Sequence, residues 1–261
     1  MEHPRAMILA AGTGSRLQPY TTGQPKCLVP LLGKPLLARQ LAVFAATGIT
    51  DVSLLGGYRA EQLHAYGKPV IVNPYYETTN MVSTMMCARH LFDGSADVVV
   101  SYGDIVYEPR VLHTLIMHAG DVVVAADRNW LSLWQLRMED PLSDAESFKL
   151  GPDGLLCELG RKPTVMDDIE GQYMGLLKFR APIHGDVLRI YDALEEELGG
   201  DSVALRKMYM TDFIQTLIDR AVAIGVAWTA GGWLEVDTPA DLDVYRRLHE
   251  AGRLGELCRL D

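Results

Sequence analysis

Short apolar runs alternate along the first half of the chain with stretches whose apolar residues recur at helical spacing. That alternation predicts a parallel sheet covered on both faces. Residues 6–10, 51–55, 69–72, 97–101 and 121–126 read as strands. The fourth of these is valine through its centre and lacks the alternation of a half-exposed strand, so it is expected to be buried on both faces. Helices are expected over 36–47, opened by Pro35 and stopped by Gly48, over a short 61–66 segment, over 83–92 with Thr79 as cap, and over 111–118.

From Asn129 the pattern changes. Trp130, Trp134, charge-rich turns and short β-like runs replace the alternation, with 155–159 and 173–179 reading as strands. Helices over 186–198 and 210–221, the second capped by Thr211 or its predecessor, lead to a strand at 233–236 and a closing helix at 239–249. The expected fold class is α/β, with a Rossmann-like, mostly parallel sheet covered by helices on both faces. An inserted, partly antiparallel subdomain completes a single domain spanning 1–261.

The first strand empties into Ala10-Ala11-Gly12-Thr13-Gly14-Ser15-Arg16-Leu17, and Lys26 follows nine residues later. Glycines let backbone N–H groups approach an anion, and two cations neutralise phosphate charge. A dinucleotide fingerprint needs a third glycine where Leu17 stands, and a P-loop needs a terminal Gly-Lys-Ser/Thr that no strand here precedes. A plain tight turn is the remaining alternative, and Arg16 and Lys26 weigh against it. The loop points to an enzyme that handles a nucleoside triphosphate.

Acidic residues extend this picture. Tyr102-Gly103-Asp104 follows a predicted strand, at the sheet edge where ligands of open parallel sheets sit. Glu235-Val236-Asp237 places two carboxylates on one face of a strand, an arrangement that a divalent cation relieves. The alternative is a solvated edge, with Asp237 capping the helix opened by Thr238-Pro239.

A formal net charge of −10 argues against nucleic acid or an anionic membrane as partner. It also requires local cations or a bound metal wherever a phosphate binds. Four scattered cysteines make neither a metal-ligand spacing nor a disulfide framework, so reduced thiols and a cytoplasmic location are expected. No leader precedes the first strand and no apolar run reaches bilayer length, so no membrane association is expected. The seven histidines pair with no carboxylate or cysteine at metal spacing, and Ser101 lies on no nucleophile elbow.

Leu9-Ala-Ala-Gly-Thr-Gly-Ser-Arg-Leu, Gln24-Pro-Lys-Cys-Leu-Val-Pro and Gly33-Lys-Pro-Leu-Leu together resemble the signature of nucleotidyltransferases that activate sugar phosphates, phosphocholine and related phospho-compounds. The resemblance implies a nucleotide-binding core at 1–128, an acceptor-binding insertion at 129–210 and a return to the core over 211–261. It implies nucleotide contacts from Leu9, Ala10, Ala11, Gly12, Thr13, Gly14, Ser15 and Gly103. Arg16 and Lys26 would be the catalytic cations, on the leaving pyrophosphate and the α-phosphate. Asp104 and Asp237 would hold Mg2+ or Mn2+, with Glu235 as ligand or orienter. No general base is needed, since the acceptor oxygen is already ionised.

The polar stretch 73–83 is similar to one that precedes a helix in relatives using CTP, which makes Asn80 and Ser83 nucleotide candidates. They read equally as helix caps. Trp130, Trp134 and Tyr173, with Glu146 or Asp212, suit an aromatic cage for a quaternary or primary ammonium, core packing being the alternative. Residues 171–179, with Gly175, resemble the strand that borders the acceptor pocket. Lys162 resembles an acceptor-phosphate lysine, although Arg161 stands where the family has an acid.

The expected reaction joins CTP to a small phosphorylated or phosphonylated alcohol or amine, of the phosphocholine, 2-aminoethylphosphonate or inositol phosphate class. It gives a CMP-linked product and pyrophosphate. The alternatives are a sugar-1-phosphate uridylyl-, guanylyl- or thymidylyltransferase and a non-catalytic nucleotide-sensing homologue. A homodimer is compatible with the sequence.

Overall fold

The strand order explains where a ligand can bind. In the computed structural model, which describes residues 4–199 and 202–260, the first strands are β1 (Arg5–Ala10), β2 (Pro30–Leu31), β3 (Lys34–Pro35), β4 (Val52–Gly56) and β5 (Val70–Val72). There follow β6 (Val98–Tyr102), β7 (Ile105–Tyr107), β8 (Val122–Asp127), β9 (Phe148–Leu150) and β10 (Leu156–Leu159). The last are β11 (Gln172–Phe179), β12 (Ile224–Thr229) and β13 (Trp233–Glu235). The helices are α1 (Leu36–Ala46), α2 (Met81–Met86), α3 (Pro109–Met117), α4 (Trp130–Arg137), α5 (His184–Glu197), α6 (Val203–Arg206), α7 (Met210–Asp219) and α8 (Pro239–Glu250).

Seven strands form one sheet in the order β12-β8-β11-β6-β1-β4-β5. Its neighbours run parallel except at β11, which lies antiparallel between β6 and β8. From β1 the chain moves outward through β4 and β5, then returns to lay β6 on the other side of β1. The order reverses between β1 and β6, which opens a crevice beyond their carboxyl ends.

Side-chain alternation along β1 shows how both faces are covered. Ala6, Ile8 and Ala10 join one core with Leu37 and Phe44 of α1, Leu112 of α3 and Tyr245 of α8. Met7 and Leu9 join the other with Val82 of α2, Val187 of α5 and Phe213 of α7. Val98, Val99 and Val100 of β6 are fully buried, as their sequence predicts.

Four expectations are corrected. The strand expected at 173–179 within the insertion is β11 of the main sheet, because all eight of its residues are buried and it needs cover on both faces. Helix α4 replaces the β-like runs expected after Asn129, and β12 was not foreseen. The 233–236 strand is β13, which pairs with β7 in a separate two-stranded antiparallel ribbon. The 83–92 helix is α2 followed by a 3-10 turn at Arg89–Leu91, and its N-cap is Asn80 rather than Thr79. Antiparallel structure within the insertion comes from β9 and β10. Among the described residues, no helix is long and apolar enough to cross a membrane.

Candidate active site

The loop leaving β1 is shaped by close approaches. Gly14 has φ of +63°, and a Cβ there would lie 2.7 Å from the Thr21 methyl and 3.0 Å from Lys26 Cβ. Thr21 Oγ1 donates to the Gly14 carbonyl at 2.9 Å and fixes the turn. At the end of β6, Gly103 N donates to Leu9 O at 3.0 Å, and a Cβ at Gly103 would sit 2.7 Å from that oxygen. Only glycine allows the two strand ends to meet so closely.

Between these ends lies a cavity of about 130 Å³, lined by Leu9, Ala10, Ala11, Gly12, Lys26, Asn80, Gly103 and Asp104 among the expected residues. Cys27, Tyr76, Thr79, Met81, Thr84 and Tyr102 complete its wall. Thr13, Gly14, Ser15 and Arg16 form the turn beside it, and all but Gly14 are exposed. Asn73, which the sequence did not single out as a site residue, organises that wall. Its buried amide donates to Thr79 and Thr84, both at 2.9 Å, and its Oδ1 accepts from Tyr75 N.

Three acids converge beside this cavity. Pairing of β7 with β13 brings Asp104 against the Glu235–Asp237 segment, and Val236 N donates to Asp104 O at 3.0 Å. One oxygen each of Asp104, Glu235 and Asp237 lies within 4.8 Å of the others. Lys26 Nζ donates to Asp104 at 2.8 Å and also to Asp237, while Arg16 Nη2 donates to Asp237 at 3.1 Å. Burial opposes the charge of Lys26, but Asp104 and Asp237 overcome it and hold its pKa above the ordinary range. Burial raises Asp237, yet Lys26, Arg16 and Arg137 together bring it below its usual value. Glu235 is pushed up to about 7 by burial against the opposing pull of Arg137, with the like charges of Asp237 and Asp104 adding to the rise.

Asp104 Oδ1 is buried with no hydrogen-bond partner. An unpaired carboxylate oxygen within an all-oxygen trio matches the needs of a hard divalent cation such as Mg2+ or Mn2+. The residues present fit that group. Asp237 is not the cap of the following helix; Thr238 is, with Asp241 as its capping-box partner.

The sequence reading missed Arg137, which organises the acids. Its side chain, 1% exposed at the end of α4, donates to Glu235 at 2.5 Å and to Asp241 at 3.0 Å, and lies 3.8 Å from Asp237. Asp241 in turn accepts from Asp237 N and Thr238 N, both at 2.8 Å. Asp127, also missed, accepts from Trp233 Nε1, Asn129 N and Gly231 N, tying α4 and β13 to the end of β8. Helical spacing of Trp130, Leu133, Trp134 and Arg137 was the signal for α4.

A second cavity, of about 450 Å³, opens on the other side of the acids. Arg16, Glu235 and Asp237 form one wall, and Trp134, Glu146, Gln172, Tyr173, Gly175, Tyr209 and Trp233 are among the residues that line the rest. Met81 and Tyr102 border both cavities, and Lys26 spans from Asp104 in the first to Asp237 in the second. At Gly175, φ is +76° and a Cβ would lie 2.5 Å from the Tyr102 ring, so glycine lets β11 bulge here. Burial pushes Glu146 up to about 7, with Asp144 and Asp212 adding, against a 3.4 Å bond from Thr211.

Besides the turn residues Thr13, Gly14 and Ser15, four expected site residues lie outside both cavities. Trp130 packs edge-on against Trp134 with ring centroids 5.9 Å apart. Lys162 Nζ donates to the carbonyls of Leu142 and Ser143. Asp212 accepts from Tyr209 N at the start of α7. Ser83 donates to Arg206 O at 3.1 Å, so its hydroxyl holds α2 to α6.

Against known proteins, residues 6–156 match the family described as MobA-like NTP transferase domain. Over 248 residues the chain is 35% identical to the CTP:phosphoglutamine cytidylyltransferase of Campylobacter jejuni, covering 92% of this chain and 98% of that protein. It is 37% identical over 132 residues to the CMP-5'-(3-aminopropyl)phosphonate synthase of Streptomyces rubellomurinus, covering 48% of this chain and 21% of that protein. The solved CTP:phosphocholine cytidylyltransferase of Streptococcus pneumoniae has a TM-score of 0.68 at 19% identity, over 96% of this chain and 99% of that one. That last likeness is one of fold.

Proposed function

We propose, from the premise that this chain belongs to the MobA-like NTP transferase family, that it is a divalent-metal-dependent cytidylyltransferase. It joins the CMP moiety of CTP to a small phosphorylated or phosphonylated acceptor. The family resemblance read from the sequence is thereby established. The observation that carries the reading is the bridge between the two cavities, where Lys26, Asp104 and Asp237 stand at the boundary of one space suited to a nucleotide and another suited to an acceptor.

An acceptor phosphate or phosphonate oxygen attacks the α-phosphorus of CTP, the bond to the β-phosphate oxygen breaks, and pyrophosphate leaves in line. Asp104, Glu235 and Asp237 would hold the divalent cation, which when bound supplies positive charge to the reacting phosphates. Lys26 adds a fixed positive charge at the junction of the two ligands, and Arg16 offers another beside the glycine turn. The two cavities hold the reactants against each other, converting an encounter of two polyanions into a positioned one.

CTP is favoured over other triphosphates because one relative is named a CTP:phosphoglutamine cytidylyltransferase and another a synthase of a CMP-linked phosphonate. A sugar-1-phosphate uridylyl-, guanylyl- or thymidylyltransferase is the second reading. The acids of the acceptor cavity disfavour it, since a neutral sugar supplies them no positive partner. We place the enzyme in the cytosol, where its four free thiols stay reduced. The test is a matrix of the four nucleoside triphosphates against phosphocholine, 2-aminoethylphosphonate, inositol phosphate and hexose 1-phosphates, read by pyrophosphate release. Release that requires CTP and a divalent cation and stops with chelator is the expected result. Equal release with another triphosphate overturns the base assignment, and no release with any pair overturns the reaction.

A further inference from the structure

We propose that the 450 Å³ cavity selects an acceptor carrying a primary amine, whose N–H groups it binds, over the trimethylated form of the same acceptor. The proposal rests on the cytidylyltransferase reading and names the acceptor class of that same site.

The cavity's polar groups set the requirement. Trp134 is 3% exposed and Gln172 is 4% exposed, yet Trp134 Nε1 and Gln172 Oε1 have no hydrogen-bond partner. A buried polar atom left unpaired is costly, so a ligand that pairs it gains on binding. Glu146 lines the same space, and a 3.4 Å contact from Thr211 leaves most of its carboxylate free. Gln172 Oε1 and the Glu146 carboxylate can only accept. A primary ammonium brings three donors and a positive charge and answers both. Trp134 Nε1 needs an oxygen, which the acceptor's phosphate or a carbonyl supplies.

A trimethylammonium carries the charge without any donor, and an aromatic cage would be needed to hold it. Trp134, Trp233, Tyr102, Tyr173 and Tyr209 line the cavity, but of these only Tyr209 is more than half exposed. The Trp134 ring already carries the Arg137 guanidinium, 5.3 Å from its centroid, and its other neighbours are Trp130 and Trp233. Tyr173 meets Tyr102 edge to face at 5.9 Å. Four of the five rings pack against protein and one exposed ring makes no cage, so the charge is read by a carboxylate. A polyol acceptor supplies donors but leaves Glu146 and neighbouring Asp144 without a cation.

The experiment uses the full chain with CTP and Mg2+, and the series 2-aminoethyl phosphate, its N-methyl and N,N-dimethyl forms, and phosphocholine. Pyrophosphate release gives kcat/KM for each. A site built to bind N–H groups rejects a ligand that lacks them by orders of magnitude. The primary amine is expected to exceed phosphocholine by at least about 100-fold, and Glu146→Gln or Gln172→Leu to narrow that ratio to below about tenfold. Phosphocholine turned over as well as or better than the primary amine overturns the proposal, and so does a ratio untouched in both variants. The wild-type series needs no variant to fold. Turnover of inositol phosphate with none of the amines also overturns this proposal while leaving cytidylyl transfer standing. No release with any acceptor removes both.

Discussion

Replacing Arg137 with methionine tests whether one buried guanidinium holds the three acids in place. Arg137 makes two close charge-assisted bonds, at 2.5 Å to Glu235 and 3.0 Å to Asp241, and a third carboxylate lies at 3.8 Å. Bonds to charged groups are worth about 1.5–3 kcal/mol each, and removing one partner of a buried ion pair costs about 3–5 kcal/mol. Methionine keeps most of the apolar stem over Trp134, so the packing loss is small. The expected destabilisation is therefore about 3–5 kcal/mol, a fall in Tm of about 10 °C for a domain of this size.

The loss also depends on pH. Glu235 is raised from its ordinary 4.5 to about 7 in the folded protein, chiefly by burial. A carboxyl raised in the folded state contributes stability at low pH that is lost as pH climbs from 4.5 through the folded value. Without the guanidinium the folded value rises further, so the variant goes on losing stability above pH 7 where the wild type has stopped. Urea unfolding followed by tryptophan fluorescence at pH 6 and pH 8 measures both quantities. A loss under about 1 kcal/mol at pH 8, or one no larger at pH 8 than at pH 6, refutes the reasoning. Arg137→Lys keeps the charge and loses the fork, and falls between the two.

The other predictions concern turnover and local fit. Lys26→Ala is expected to lower kcat about 10²–10³-fold, as loss of a transition-state charge contact does; a change under tenfold in a steady-state assay assigns Lys26 to structure alone. Glu146 ionises near pH 7, because burial raises it, so KM for an amine-bearing acceptor is expected to fall as pH rises from 6 to 8. Acceptor titrations at fixed saturating CTP check this, and a KM that rises over that range refutes it. Gly175→Ala combines a φ of +76° with a Cβ 2.5 Å from the Tyr102 ring, and is expected to cost about 1–3 kcal/mol and to raise acceptor KM; unchanged unfolding midpoints refute the close-approach argument.

What was legible in the sequence follows from which signals are local. The glycine turn, Lys26, Gly103-Asp104 and Glu235-Val236-Asp237 are each contiguous runs whose residue types imply a chemistry. Their convergence required only that both acidic segments lie at the carboxyl edge of the sheet. Helix α4 was hidden because Leu131 and Leu136 lie outside its buried face of Trp130, Leu133 and Trp134 while the charged Arg137 side chain is buried, which blurs the apolar pattern. With α4 unread, Arg137 had no position, since its partners Glu235 and Asp241 are about a hundred residues away. The placement of β11 in the main sheet failed for a related reason: pairing between non-sequential strands leaves no mark but burial, and 173–179 was assigned by its place after a change of grammar. Lys162 and Asp212 show the opposite error. Each is a charged residue at a plausible position, but Lys162 is taken by the carbonyls of Leu142 and Ser143 across the fold and Asp212 by the local cap of α7.

The charge balance at the junction connects these residues to the chemistry. Asp104, Glu235, Asp237 and Asp241 face Lys26, Arg16 and Arg137, so at full ionisation four carboxylates meet three cations and one negative charge is in excess. A chain with a net charge of −10 adds a repulsive background. A triphosphate and a phosphorylated acceptor cannot both enter such a node unless positive charge arrives with them. The acids are therefore not incidental to a phosphate site. On the proposed function they would repel the substrates when bare, and make the affinity for polyanions conditional on a divalent cation held by the trio. Arg137 is withheld from the substrates, buried and committed to Glu235 and Asp241. Lys26 and Arg16 sit at the cavity walls, where their charge is within reach of both ligands. On the proposed function, this division separates the cation that maintains the carboxylate geometry from those that would face the reacting phosphates.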